Sequence, residues 1–105
     1  MHVAELLDCY GDLLSDYKRN LIDLYYNEDY SLSEIAENAG LSRQGVRDSI
    51  KKSENELREL EEKLHFLQKT ADFSEKISRA ISSLEAMEQT EEITAVIEIL
   101  RSVIL

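Results

Sequence analysis

No glycine or proline interrupts the stretch from Val46 to Leu105, and that silence restricts the fold more than any other feature of the chain. Proline is absent throughout, and the three glycines stand at positions 11, 40 and 45. A β-sandwich or barrel turns every few residues and draws on glycine, proline, asparagine and aspartate to do so. A long run without breakers points instead to helices, so the expected class is all-α. With 105 residues, 43% of them hydrophobic, the chain has the size and apolar content of one folded domain, residues 1–105. Within it we distinguish a helix-turn-helix part, residues 3–52, from C-terminal helices over 53–105.

Apolar spacing places the helices. Val3, Leu6, Leu7, Tyr10, Leu13 and Leu14 predict a first helix over about 3–14, weakened by Gly11. Ser15 is positioned to cap a second, reaching about Asn27, with Tyr17, Leu21, Leu24 and Tyr25 on its inner face. Val46, Ile50, Ser53, Leu57, Leu60, Leu64 and Leu67 alternate by four and three, a heptad-like seam. It predicts either one helix from Arg43 to about Gln68, roughly 40 Å long and stalk-like, or a break near Ser53. Asp72-Phe73-Ser74-Glu75 reads as a capping box for a further helix, and Thr90 as the cap of the last, with Glu91 and Glu92 near its N-terminal dipole. That last helix carries more apolar surface than one neighbour covers. It is either core or a homodimer surface, and the expected dimer interface is Ile93, Ile97, Leu100 and Ile104.

Ser31 to Ile50, SLSEIAENAGLSRQGVRDSI, reads as a helix-turn-helix. Ser31 and Glu34 form a capping box, and Ala36 is small where two helices would cross. Gly40 suits a left-handed helix end, Ser42 is an N-cap, and Val46 points into the angle between the helices. Ile35 and Leu41 are expected to supply apolar contacts around the turn. At about 100° per residue, Gln44, Arg47 and Lys51 face away from Val46, with Arg43 on a flank. Ser42, Arg43, Gln44, Arg47 and Lys51 are therefore the candidate nucleic-acid-binding residues. Arginine can reach a phosphate or a guanine edge, glutamine an adenine, and the free N–H groups beside Ser42 a phosphate. Asp48 faces outward too, where it would repel phosphate unless it accepts from a cytosine amino group.

Charge sets the context. The net charge is −10, yet residues 42–52 hold Arg43, Arg47, Lys51 and Lys52 against Asp48 alone. A basic island in an acidic body suits one local phosphate contact and disfavours indiscriminate binding to polyanions.

Other chemistries find little support. The lone Cys9 excludes an internal disulfide and falls in an apolar stripe, as an inert thiol would. His2 and His65 have no ligand-spaced partners, so no metal is expected. Glu61 and Glu62 read as the solvated side of a helix, and Tyr25, Tyr26 and Tyr30 as packing residues. No phosphate loop or nucleophile elbow is present, so neither an enzyme, a cofactor nor a small-molecule substrate is expected. No apolar run approaches the roughly 20 residues of a membrane span, and Glu5 and Asp8 replace the basic start of a signal peptide. The expected location is the cytoplasm.

The segment from Ser15 to Leu60 resembles region four of the sigma-70-type transcription initiation factors, through Glu34-Ile35-Ala36, Gly40, Ser42, Val46 and Ile50. Those factors also need a promoter-melting domain, which a chain of this length does not hold, so sigma activity itself is not implied. LYYNEDYSLSEIAE followed by LSRQGVRDSIKKSE is more similar to the YlxM family of bacterial helix-turn-helix proteins, over roughly residues 3–70. That resemblance implies a regulator linked to the signal recognition particle pathway by gene neighbourhood, with no catalytic residues. Carried over by position, its nucleic-acid helix holds Ser42, Arg43, Gln44, Arg47 and Lys51. Two functions follow: a dimeric DNA-binding regulator, or a protein- or RNA-interaction module of the signal recognition particle system.

Overall fold

The computed structural model describes residues 2–103, and these form six α-helices, one 3-10 turn and no strand. The all-α expectation is met. The chain divides into two compact units, one ending at His65 and one beginning at Phe66.

The first unit contains α1 (Val3–Tyr10), α2 (Asp16–Tyr26), α3 (Leu32–Ala39) and α4 (Arg43–Leu64). The first helix is shorter than its apolar spacing suggested. At Gly11–Leu13 the backbone tightens into the 3-10 turn, which buries Leu14 and leaves Leu13 61% exposed. Ser15 does cap α2, accepting from the Lys18 N–H at 3.3 Å. The inner face of α2 is rotated from the expected one: Leu21 and Ile22 are buried, whereas Tyr17 is 54% and Tyr25 37% exposed.

Helix α4 is the centre of this unit and packs against α1, α2 and α3. Its buried residues are Val46, Ile50, Ser53, Leu57 and Glu61. The heptad-like seam is thus largely the core-facing stripe of a globular unit, not the seam of a stalk. Each fully buried aliphatic side chain there contributes roughly 1.5–3 kcal/mol. No break occurs at Ser53, whose hydroxyl donates to the Ser49 carbonyl at 3.1 Å and so enters the core satisfied. The border drawn after residue 52 falls inside α4. Nor does α4 reach Gln68: His65 adopts a left-handed conformation, φ 52°, and its N–H closes on the Glu61 carbonyl at 2.7 Å.

The second unit is a pair, α5 (Phe66–Glu85) and α6 (Glu91–Val103). Helix α5 begins six residues before Asp72, so Asp72 and Glu75 lie in its interior and cap nothing. Glu75 pairs instead with Arg79, one turn on, at 3.7 Å. With no glycine available, α5 is closed by a side chain: the Gln89 amide donates to the carbonyls of Leu84, Glu85 and Met87 at 3.0, 3.4 and 2.9 Å. Thr90 caps α6, accepting from the Ile93 N–H at 3.2 Å, and Arg101 reaches back to Glu85 at 3.1 Å. Among the described residues of this unit only Ile81 and Ile97 are buried.

Candidate nucleic-acid interface

The motif forms as its local signals require. Ser31 accepts from the Glu34 N–H at 3.1 Å, and the Glu34 carboxylate accepts from the Ser31 N–H at 3.1 Å. Gly40 sits at φ 67°, and the Leu41 N–H closes the helix end on the Ala36 carbonyl at 3.0 Å. Ile35 and Val46 are fully buried, and Ala36 nearly so, at the α3–α4 crossing. Leu41 departs from expectation: at 39% exposure it faces solvent as much as the turn.

Ser42 caps α4 by accepting from the Gly45 N–H at 3.0 Å. A Cβ at residue 45 would lie 3.1 Å from that same hydroxyl oxygen, closer than side chains ordinarily pack. Glycine at this position therefore gives clearance to the cap. The clearance offsets part of the roughly 1 kcal/mol by which glycine weakens a helix relative to alanine.

Ser42, Arg43, Gln44, Arg47 and Lys51 are all exposed, on the first turns of α4. Arg43, Gln44 and Arg47 line a groove of about 450 Å³ together with Leu32 from the start of α3. On the other side of Arg47, a cavity of about 250 Å³ is lined by Arg47, Lys51, Tyr25 and Tyr26, with Leu32, Ile50 and Glu54. Asp48 is not idle on this face: Gln44 Nε2 donates to its Oδ1 at 2.9 Å.

The charges are distributed unevenly. Arg19, Arg58, Arg79 and Arg101 each pair with a carboxylate. Among the described residues, Arg43 and Arg47 are the arginines that pair with none; of the lysines, Lys51 and Lys52 are unpaired, as are Lys63, Lys69 and Lys76. In a chain of net charge −10 these cations are left without internal counter-ions, available to an external anion.

What holds α4 in place was less visible in the sequence. The Tyr10 hydroxyl donates to Glu61 Oε1 at 2.5 Å in the interior, and Tyr26 donates to Glu54 Oε1 at 2.5 Å. Lys18 pairs with Glu56 at 3.2 Å. Three carboxylates of α4 thereby tie it to α1 and α2. Glu61 is 9% exposed, not on the solvated side as its charge suggested; its place four residues after Leu57 was the available signal. Burial, and then the Glu54 carboxylate, push the Tyr26 phenol up to about 12. Burial, and then the charge of Glu61, likewise raise the Cys9 thiol, which disfavours a reactive thiolate.

Among the described residues no group of His, Cys, Asp and Glu could hold a metal ion, and no helix is long and apolar enough to cross a membrane. Of the residues expected at a dimer interface, Ile93 and Leu100 are half-buried and Ile97 is buried, while Ile104 lies outside the described residues.

Known proteins are similar to this chain in sequence. The UPF0122 protein of Desulforamulus reducens is 42% identical over 91 residues, covering 86% of this chain and 78% of its own. That of Thermoanaerobacter sp. is 35% identical over 98 residues, 93% of this chain and 84% of its own. That of Halalkalibacterium halodurans is 41% identical over 93 residues, 89% of this chain and 85% of its own. The family described as "Putative helix-turn-helix protein, YlxM / p13 like" matches residues 1–98. With its motif formed and its match spanning nearly the whole sequence, the chain belongs to the UPF0122 family of helix-turn-helix proteins.

Proposed function

We propose that this protein is a non-enzymatic, cytoplasmic regulator that binds double-stranded DNA through the first turns of α4, using Ser42, Arg43, Gln44, Arg47 and Lys51. One observation carries the reading. Arg43 and Arg47 stand exposed and without counter-ions on a capped helix, while the other four arginines are paired. Phosphates are the natural partners of such guanidinium groups. A helix that projects side chains from an exposed crest fits the open major groove of B-form DNA. The deep, narrow major groove of A-form RNA would not admit it.

The protein acts, on this reading, as a homodimer joined through the second unit. A two-helix pair in which, among the described residues, only Ile81 and Ile97 are buried has an incomplete core, and it exposes Phe73, Val96, Ile99 and Val103. A second copy would complete a four-helix arrangement, meeting the pair at Ile93, Ile97 and Leu100. Two motifs related by a two-fold axis would then read paired half-sites.

The test is DNA affinity across a salt series. Arg47→Ala should weaken binding and reduce the log–log salt slope by about 0.9, the loss of one phosphate contact. Unchanged affinity and slope would refute the reading. The alternative, an RNA or protein component of the signal recognition particle system, would show as co-purification of that component, insensitive to DNase.

A further inference from the structure

Asp48 poses a problem that the arginines do not: an exposed carboxylate stands on the surface proposed to meet a polyanion. Its position on the helix resolves this. With Val46 facing the core, about 100° per residue puts Gln44 and Asp48 about 20° either side of the outward direction. Arg47 and Lys51 fall on one shoulder of the helix and Lys52 on the other. A helix in a major groove turns its crest to the base edges and its shoulders to the two phosphate backbones. Asp48 is therefore where phosphates are farthest, flanked by cations where they are nearest.

The hydrogen-bond inventory defines what this crest can read. Gln44 Nε2 gives one hydrogen to Asp48 Oδ1 at 2.9 Å. Its second N–H and its Oε1 remain, a donor–acceptor pair that matches N7 and the amino group of adenine. Asp48 keeps Oδ2, an acceptor only. Cytosine offers it an amino donor alone and adenine an amino donor beside the acceptor N7, whereas guanine O6 and N7 and thymine O4 offer only acceptors. Facing those, the carboxylate is repelled, so it rejects as well as selects.

Resting on the DNA-binding reading above, we propose that Gln44 and Asp48 form one specificity element, in which Asp48 selects a cytosine and holds Gln44 for a neighbouring adenine. The arginines and lysines supply affinity; this pair supplies sequence. Asp48 is thus a specificity-determining residue that lowers affinity most for sites that place guanine or thymine before it.

Selection from a randomised double-stranded DNA pool tests this, using the full chain, Asp48→Ala and Asp48→Asn at one salt concentration. The unsubstituted protein should enrich sites with cytosine at one position. Asp48→Ala should lose about tenfold or more of that discrimination while binding random duplex more tightly. Asp48→Asn, which keeps an acceptor without the charge, should fall between. Because the residue is exposed, helical content should be unchanged in both. If Asp48→Ala enriches the same sites with undiminished discrimination, this inference fails and DNA binding stands. If the unsubstituted protein retains no duplex at low salt, both fail.

Discussion

The Tyr10 phenol and the Glu61 carboxylate meet at 2.5 Å across 51 residues of sequence, joining α1 to the far end of α4. A charge-assisted bond in the interior is costly to remove, because the group that stays behind remains desolvated. Tyr10→Phe should destabilise the protein by about 1–3 kcal/mol in urea unfolding. Glu61→Gln, which can still accept from the phenol, should cost less. Equal losses would mean that packing, not the hydrogen bond, is what matters here.

Tyr26 predicts the alkaline limit of stability. Its phenol is held up to about 12 in the folded protein, against an ordinary value of 10. The folded state therefore keeps the proton that the unfolded state releases. The stabilisation is fully present below about pH 10 and is lost as pH rises toward 12. Unfolding followed across that window should show stability falling, and Tyr26→Phe should flatten the fall.

The two motif glycines should both depart from what helix propensity alone implies. Gly40 has open space around it but a left-handed backbone, so Gly40→Ala should cost about 1–2 kcal/mol through conformation alone. Gly45 lies in a helix, where alanine ordinarily gains about 1 kcal/mol. The crowding against the Ser42 hydroxyl should cancel most of that gain. Thermal unfolding of both variants measures the contrast.

Val96→Asp places a charge on an exposed apolar position of α6 without entering the pair's own core. If the second unit pairs with a second copy, sedimentation should shift from dimer mass to monomer mass, with the helical signal retained. A chain already monomeric before substitution would remove the dimer from the functional reading.

The motif was legible because its determinants are local. Ser31 with Glu34, Gly40, Ser42 and Val46 act within a turn or two, where spacing dictates geometry. Local signals also mislead when two structures share them. Asp72 and Glu75 have the spacing of a capping box, and equally that of neighbours inside a helix; with no breaker between Phe66 and Ala71, the helix simply starts earlier. The stripe from Val46 to Leu57 showed a buried face but not whose side chains bury it, since periodicity does not distinguish a partner helix from another part of the same chain. Glu61 and Glu54 were hidden for a different reason. The place of Glu61 four residues after Leu57 signals an inward face, but the phenols that satisfy the two carboxylates come from α1 and α2, and no reading of α4 alone contains them.

The amide of Gln89 closes α5 in a way that backbone geometry would not. Two hydrogens serve three carbonyl oxygens, those of Leu84, Glu85 and Met87. A left-handed glycine fixes one path of the chain; a shared amide can trade one acceptor for another while leaving the turn closed. The turn between α5 and α6 thus rests on a side chain as well as on the Met87 N–H, which closes on the Leu84 carbonyl at 3.2 Å.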